Sequence, residues 1–304
     1  MNERNYFVGI GAQKSGTTWL AKYFADHPQV FMSSPKELHC FDTIYLPIDC
    51  FDDIKYGLDD LKDRLLHAVK PLQNSLRSNY INNKKDLNIE TFNFIYRKYF
   101  ESLVGQESVF GEITPAYSML NNEGYQHILN VYPHAKFIFL LRNPADRCWS
   151  HAKHRKKRKF VKEDLPIKSI FQQELNTRKY VLRTDYTRTI AELKKVVPSS
   201  QILTIFYENL FSRNGYKEVK KITDFLGIQY IEPDLNTYVY KGLDAELDSH
   251  LRMEAINRFK HVYFGVYSEF KYNLPNSWWN DILLLYQQNL AKHRSRLLDI
   301  QKKL

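Results

Sequence analysis

Cysteine is scarce in this sequence, and long apolar runs are absent from it. The three cysteines, Cys40, Cys50 and Cys148, are too few and too scattered for a disulfide framework or a zinc site. No apolar run approaches the roughly 18 residues of a membrane-spanning helix, and the opening MNERNYFVGI lacks the apolar stretch of a signal peptide. These absences predict a cytoplasmic protein with no transmembrane segment and no bound metal.

Acidic residues are outnumbered by basic ones. The 44 lysines and arginines against 34 aspartates and glutamates give a formal net charge of +10. Such an excess favours an anionic partner, which could be a nucleotide, an acidic glycan, an acidic lipid or a nucleic acid. Hydrophobic residues make up 43% of the 304 positions, which is enough for a large core.

Short apolar strands alternate with helical periodicity along the chain. This alternation predicts one α/β domain over residues 1–304, with a central parallel sheet flanked by helices and a helical C-terminal third. The leucines that recur every seven residues near the C-terminus predict an amphipathic helix packed on the core rather than a coiled coil. The predicted strands are 6–11, 30–32, 109–113, 136–141 and 201–206, and the predicted helices include 17–26, 58–70, 91–103, 122–132, 186–197 and 216–227.

The segment FVGIGAQKSGTTWL near the N-terminus has the strand, loop and helix order of a phosphate-binding loop. Gly11 and Gly16 have the spacing of a Walker loop, but Lys14 precedes the second glycine instead of following it. Backbone N–H groups and the helix dipole favour an anion there, and Thr17 and Thr18 add hydroxyl donors. The segment therefore predicts a P-loop NTPase-like domain whose lysine approaches the bound group from an unusual side.

A second strand–turn–helix follows at KFIFLLRNPADRCWS. Asn143 suits a helix N-cap and Pro144 the first helical position. Arg142 follows the strand, at the edge of the sheet where open α/β folds bind ligands. Its guanidinium and the Ser150 hydroxyl could hold a second phosphate. Two anion sites at one sheet edge suit a ligand with two separated phosphate groups.

Together, QKSGTTWL and LLRNPADRCWSH resemble the paired signatures of the sulfotransferases that use 3′-phosphoadenosine 5′-phosphosulfate (PAPS) and release 3′-phosphoadenosine 5′-phosphate (PAP). The resemblance covers about residues 6–210 and includes PKELHCF, GEITPAY and IFYENL. It implies that the first loop holds the 5′-phosphosulfate and that the second motif holds the 3′-phosphate. The implied residues are Lys14, Ser15, Gly16, Thr17 and Thr18 for the 5′ side, Arg142 and Ser150 for the 3′-phosphate, Trp19 and Tyr207 for adenine, and Lys241 and Gly242 for a loop closing over the nucleotide.

Sulfuryl transfer needs a group that stabilises the leaving oxygen and a base for the acceptor hydroxyl. Lys14 is predicted to stabilise the leaving bridging oxygen, a mechanism that needs no metal. PKELHCF resembles a segment of glycan sulfotransferases, which implies Glu37 as the base and Lys36 as its polar partner. His39 is the alternative base, as in the small-molecule branch. Ile113 stands where some glycan members carry lysine, which argues against a heparan-like acceptor.

The sequence thus predicts a PAPS-dependent sulfotransferase that acts on a hydroxyl of a glycan or glycolipid, with a small hydroxylated metabolite as the second choice of acceptor. The alternatives are a P-loop nucleotide kinase and a basic polyanion-binding protein without catalysis. Nucleic acid is the weakest candidate partner. Arg147, His151, His154 and Arg158 form a basic stripe that is predicted to be a solvated helix face, with the steering of an anionic donor or acceptor as the alternative. Glu112 is predicted to be structural. The oligomeric state stays open.

Overall fold

The computed structural model describes residues 4–50, 89–235 and 242–301. Its centre is a parallel sheet with the strand order β2-β3-β1-β4-β5, which confirms the predicted α/β fold. The strands are β1 (Asn5–Gly11), β2 (Val30–Met32), β3 (Val109–Ile113), β4 (Lys136–Leu141) and β5 (Ile202–Phe206).

Helices flank the sheet and form most of the chain after β5. The predicted helix 58–70 lies outside the described residues. The helices are α1 (Thr17–Ala25), α2 (Cys40–Tyr45), α3 (Ile89–Leu103), α4 (Asn122–Val131), α5 (Pro144–Lys157), α6 (Ile167–Asn176), α7 (Arg178–Leu182), α8 (Tyr186–Lys194), α9 (Tyr207–Leu210), α10 (Gly215–Leu226), α11 (Ser249–Arg258), α12 (Lys260–Phe270) and α13 (Asn276–Gln301).

After Asn5, the central strand β1 has no polar side chain, and both of its faces are covered. Tyr6, Val8 and Ile10 belong to one buried cluster, whereas Phe7 belongs to a second cluster on the opposite face. This division follows from the alternation of side chains along a strand. Burial on both faces is typical of parallel sheets and explains why β1 shows no alternation of polar and apolar residues.

The carboxyl ends of the central strands bring three loops to one edge of the sheet. β1 lies between β3 and β4, so the loops after these strands are neighbours. The backbone N–H of Ala12, after β1, donates to Leu140 O in β4 at 2.7 Å, and Thr114 N, after β3, donates to Gly9 O at 2.9 Å. This is the edge at which the sequence predicts the ligand.

The C-terminal helix α13 packs on the core through a face other than its leucine repeat. Trp278, Ile282 and Leu285 are buried, whereas Leu283 and Leu290 are 54% and 70% exposed. The helix therefore packs on the core as predicted, but Leu283 and Leu290 do not belong to its packed face. Ile282 lies four residues after Trp278, and Leu285 lies three residues after Ile282. This spacing places the three side chains on one face of the helix, and that face meets the core.

Candidate active site

The loop between β1 and α1 is built around Gly16. This residue precedes α1 with φ 90°, in the left-handed region that glycine adopts without strain. A Cβ there would lie 2.8 Å from Cε2 of Phe211, so the position has no room for a side chain. Within the described residues no side chain caps α1, and its first turn carries no acid, so the helix terminus favours an anion.

Ser15 supports the same interpretation. Its side-chain hydroxyl is fully buried and has no hydrogen-bond partner among residues that the structure describes. Buried polar groups normally have partners, because an unpaired one costs free energy. A phosphate or sulfate oxygen at the start of α1 would supply the missing acceptor, so the loop fits an anionic group.

Lys14 lies in this loop in the left-handed region, with φ 69°. Burial lowers the pKa of its ammonium group, and the nearby charges of Arg142 and Arg147 lower it further, to about 8. Arg158 and Lys36 act on this ammonium group as further like charges. A bound anion would offset their mutual repulsion.

Arg142 joins the second predicted phosphate motif to the first. It follows β4 directly, and its Nη1 donates to the backbone carbonyl oxygen of Lys14 at 2.9 Å. Its guanidinium lies 4.3 Å from the centre of the Tyr207 ring. Asn143 caps α5 by accepting from the backbone N–H of Ala145 at 3.0 Å, as the sequence predicts. The two motifs, 128 residues apart, thus meet at one site.

Ser150 lies half-buried on α5, two turns after Arg142. One turn further on, Lys153 Nζ donates to Ala245 O at 3.3 Å, and its Cε lies 3.8 Å from where a Cβ of Gly242 would stand. Gly242 therefore lies beside the part of α5 that carries Ser150. The other residue predicted for the closing loop, Lys241, lies outside the described residues.

The loop after β2 carries a chain of charged side chains. Lys36 Nζ lies 2.9 Å from Glu37 Oε1 and 3.5 Å from the Thr17 hydroxyl at the start of α1. The other carboxylate oxygen of Glu37 lies 3.3 Å from His39 Nε2, and His39 Nδ1 lies 2.6 Å from Asp42 Oδ2. The structure thus brings the three predicted catalytic residues of this loop to the phosphate loop through Lys36.

A model of the sulfotransferase family matches residues 7–232. The match begins in β1 and continues beyond α10, so it includes both phosphate motifs and the Glu37 loop. The chain belongs to the sulfotransferase family. The predicted family and the predicted enzyme class, a PAPS-dependent sulfotransferase, are confirmed.

Solved structures share this sulfotransferase's fold. A sulfotransferase from Alicyclobacillus acidocaldarius matches with a TM-score of 0.66 and 21% identity, over 90% of this chain and 98% of its own. The sulfotransferase domain from the curacin biosynthetic pathway matches with a TM-score of 0.51 and 17% identity, over 90% and 99%. No curated protein matches the sequence. At these identities the structural likeness shows the fold alone.

Glu112 is a fully buried acid at the end of β3 in this sulfotransferase. Its carboxylate accepts hydrogen bonds from the hydroxyls of Tyr96 at 2.5 Å, Thr114 at 2.6 Å and Tyr117 at 3.0 Å. The backbone N–H of Leu38 donates to it as well, at 3.2 Å. Burial raises the pKa of this carboxyl although its donors act to lower it.

This buried network fixes the loop that carries the predicted base. Leu38 stands between Glu37 and His39, so the bond to Glu112 holds the backbone between them. The hydroxyl of Tyr117 also accepts from the backbone N–H of Cys40 at 3.0 Å. Glu112 is therefore structural, as predicted, but what it supports is the candidate active site.

The Glu37 and His39 side chains have opposite pKa shifts. Burial would raise the pKa of Glu37, but hydrogen bonding to His39 and the charge of Lys36 lower it to about 2. Burial would lower the pKa of His39, but its bonds with Asp42 and Glu37 raise it to about 9. His39 is thus protonated at neutral pH and has no lone pair for an acceptor proton, whereas Glu37 is ionised.

The predicted adenine contacts lie in one row of aromatic rings. Tyr207 lies 4.7 Å from Phe211, and Phe211 lies 5.4 Å from Trp19, measured between ring centres. Trp19 is only 7% exposed, and its indole N–H donates to Asp234 O at 2.9 Å. The structure places Trp19 in the core beside the phosphate loop, while its contact with adenine stays a prediction.

The basic stripe on α5 is not a solvated face at its start. Arg147 is fully buried, with Nε bonded to the Thr184 hydroxyl at 2.9 Å, and His151 is 2% exposed and bonded to Glu174 at 2.6 Å. The prediction of a solvated face was wrong for these two residues. Glu174 comes from α6, which packs on α5, and Thr184 comes from the segment just after α7. The sequence pattern of α5 alone did not reveal either partner.

Two contributors to the site had no clear signal in the sequence. Asp42 pairs with His39 from three residues away, and only that spacing, across the start of α2, could have indicated it. Phe211, which follows α9 and lies almost 200 residues after Gly16 in the chain, fills the space beside Gly16.

Over the described ranges no group of His, Cys, Asp and Glu is arranged to hold a metal ion, and no helix is long and apolar enough to cross a bilayer.

Proposed function

We propose that this sulfotransferase moves the sulfuryl group of PAPS to a hydroxyl of a glycan or glycolipid. The observation that carries the proposal is the contact of Arg142 with the Lys14 carbonyl at 2.9 Å. It supports a ligand with two phosphate groups, one at the start of α1 and one beside Arg142. A nucleotide kinase would need only the first of these sites.

Lys14, Ser15, Gly16, Thr17 and Thr18 would hold the 5′ side of this donor. PAPS supplies the activated sulfuryl group. The ammonium of Lys14 neutralises negative charge at the bridging oxygen, and the Ser15 hydroxyl donates to an oxygen at the start of α1. Losing one preorganised donor of this kind costs about 10²–10³ in rate.

The 3′-phosphate would lie between Arg142, Ser150 and the loop at Gly242, with Lys241 proposed in the same loop. Lys153 reaches this place from α5 as a further cation. Tyr207 keeps the Arg142 guanidinium over its ring, and Trp19 closes the side of the loop on which adenine would lie.

Glu37 is proposed as the base that takes the proton of the acceptor hydroxyl. Lys36 lies between Glu37 and Thr17, so it can orient the carboxylate and stabilise charge on the sulfuryl group. His39 is protonated at neutral pH and acts as a partner that orients Glu37. This arrangement favours a glutamate base, as in glycan sulfotransferases, over a histidine base, as in the small-molecule branch.

A cytoplasmic location of the protein is part of the same proposal.

Calorimetric titration with PAP tests the donor site, and transfer of labelled sulfate from PAPS to a panel of acceptors tests the reaction. We expect PAP to bind below millimolar concentration and ATP with Mg²⁺ to bind less tightly. Glu37→Gln should lose about 10²–10⁴ in turnover with PAP affinity kept, whereas His39→Asn should lose less. Near-normal turnover of Glu37→Gln would refute the assignment of the base. Sulfation of small hydroxylated metabolites alone would refute the acceptor class.

A further inference from the structure

Three helices of the C-terminal third meet the turn that carries Arg142. The family model ends at residue 232, so α11, α12 and α13 lie outside the part of the chain that it matches. Side chains of α12 and α13 nevertheless contact Asn143, which follows Arg142 and caps α5, and α11 contacts Asp146 in the first turn of α5. These helices carry none of the residues proposed for the donor or for the base, yet they hold the start of α5.

Asp281 of α13 is the centre of these contacts, with a side chain that is 1% exposed. Its Oδ2 accepts from the side-chain nitrogen of Asn143 at 2.7 Å, and the Tyr263 hydroxyl of α12 lies 2.9 Å from the same oxygen. Arg252 of α11 donates to both carboxylate oxygens, from Nε at 2.8 Å and from Nη2 at 3.0 Å. The third nitrogen of this guanidinium, Nη1, donates to Asp146 at 2.9 Å. The bidentate pair fixes the plane of the Asp281 carboxylate.

The Asp281 carboxylate decides how the amide of Asn143 is oriented. An asparagine amide accepts hydrogen bonds through its oxygen and donates them through its nitrogen. The Asn143 oxygen accepts from the backbone N–H of Ala145 at 3.0 Å, and its nitrogen faces the carboxylate, which only accepts. If the amide turned over, donor would face donor at the helix and oxygen would face oxygen at Asp281. The carboxylate therefore holds the amide in the orientation that caps α5.

The backbone between Arg142 and Asn143 is fixed from other elements. The carbonyl oxygen of Arg142 accepts from the Tyr186 hydroxyl of α8 at 2.9 Å, and the backbone N–H of Asn143 donates to Glu208 Oε1 of α9 at 2.7 Å. The other oxygen of Glu208 accepts from the indole N–H of Trp278, which lies three residues before Asp281 on α13. The main chain of Arg142 is thus held on both sides of one peptide bond, and its guanidinium extends from a fixed point toward the phosphate loop.

We propose that Asp281 is a positioning residue for the 3′-phosphate of the donor. Through Asn143 it fixes the direction in which Arg142 extends, and Arg252 in turn fixes Asp281. The inference rests on the proposed function, because it takes Arg142 as the residue that binds this phosphate. The role needs no contact between Asp281 and the donor, since a misplacement of about 1 Å in a positioned group can by itself cost about 10² in rate.

The test compares PAP with adenosine 5′-phosphate, which differs from PAP only in lacking the 3′-phosphate. The ratio of their dissociation constants, from calorimetric titration and competition, isolates the contribution of that phosphate. Asp281→Asn keeps the size of the side chain but sets an NH₂ group against donors. The matched control is Glu174→Gln, because Glu174 is also a fully buried acid that braces α5, two turns later, by accepting from His151 at 2.6 Å and Arg155 at 3.0 Å. Arg252→Gln is a milder second variant, at a side chain that is 25% exposed.

We expect wild-type protein to bind PAP at least about tenfold more tightly than adenosine 5′-phosphate. Asp281→Asn should reduce this ratio about fivefold or more, Arg252→Gln about threefold, and Glu174→Gln less than about twofold. Urea titrations should show that both acid-to-amide variants are less stable than wild type, so a loss of stability alone does not change the ratio. In an Arg142→Ala background, Asp281→Asn should change PAP affinity less than about twofold, because the group that it positions is gone.

The inference and the proposed function fail in different ways. If wild type prefers PAP but the ratio is unchanged in Asp281→Asn, falls equally in Glu174→Gln, or falls as far in the Arg142→Ala background, the inference is wrong and the proposed function stands. If wild type binds PAP no more tightly than adenosine 5′-phosphate, the proposed 3′-phosphate site is wrong and the inference falls with it. Near-normal affinity for adenosine 5′-phosphate shows that a variant is folded, and if Asp281→Asn does not fold, the ratio in Arg252→Gln decides.

Discussion

The lowered pKa of Lys14 predicts that donor affinity depends on pH in a defined direction. In the ligand-free protein, burial and the charges of Arg142 and Arg147 lower this pKa to about 8. Phosphate groups bound at the start of α1 favour the charged ammonium and so raise the pKa again. The protein must then take up a proton at Lys14 when PAP binds above pH 8. Affinity is therefore complete well below pH 8 and declines as the pH rises through that value.

The size of this effect follows from the two pKa values. The pKa of Lys14 is about 8 in the free protein and is expected to return to at least its ordinary value of 10.5 in the complex. The affinity for PAP then falls about twofold from pH 7 to 8 and about tenfold from pH 7 to 9. The second ionisation of a phosphate monoester lies near 6. The phosphates of PAP are thus already dianionic across this range and add no comparable dependence.

The assay is calorimetric titration of PAP at pH 7, 8 and 9 in two buffers of different ionisation enthalpy, which also counts the protons taken up. Lys14→Arg is the matched control, because guanidinium remains charged throughout this range. We expect its PAP affinity to be nearly flat from pH 7 to 9 except for any contribution of His39, whose pKa is about 9. A wild-type affinity that does not fall, or an equal fall in Lys14→Arg, would refute the placement of Lys14 against the donor.

Other predictions follow from the same contacts. Arg142→Ala should weaken PAP binding about 10- to 100-fold, because it removes a charged donor beside the phosphate loop, and calorimetry measures the loss. Lys14→Met should raise the Tm of the ligand-free protein at pH 7, since folding no longer buries a charge, and lower turnover; a lower Tm would contradict this. Glu112→Gln should lower the free energy of unfolding by about 1–3 kcal/mol in urea titrations, because an amide nitrogen, which accepts no hydrogen bond, replaces one of the two carboxyl oxygens that accept from buried hydroxyls. His39 has a raised pKa, so its contribution to stability is complete below about pH 6.5 and is lost as the pH rises through about 9; the difference in denaturation midpoint between wild type and His39→Asn should shrink over this range, and taking the difference removes the opposite contribution of Lys14.

The phosphate loop and the turn after β4 could be predicted because their chemistry is local. A glycine at φ 90° before α1 and a proline and an asparagine at the start of α5 are each signalled by neighbouring residues. The strands were predictable for a similar reason, since β1 and β4 are continuous apolar runs after their first residues. What the local pattern could not supply was the contact between the two motifs, Arg142 to the Lys14 carbonyl, which depends on β1 and β4 being adjacent in the sheet.

Sequence reasoning failed where the partner of a side chain comes from a distant element. Arg147 and His151 have the spacing of a solvated stripe, but Thr184 and Glu174 arrive from later in the chain and bury them. Leu283 and Leu290 repeat like a packed seam, yet α13 is oriented by its contacts on another face. In both cases periodicity identifies a helix face correctly and says nothing about what covers it.

The choice between Glu37 and His39 shows how a site can depend on residues outside any motif. The sequence offers both residues two positions apart, and either type can serve as a base. Asp42 accepts a 2.6 Å bond from His39 and keeps it protonated, while Glu112 holds the backbone of Leu38 between the two candidates. A protonated His39 then directs its second N–H toward Glu37 at 3.3 Å. The assignment of Glu37 as the base thus depends on Asp42, and Asp42→Asn should lower the pKa of His39 and make His39 the competing base.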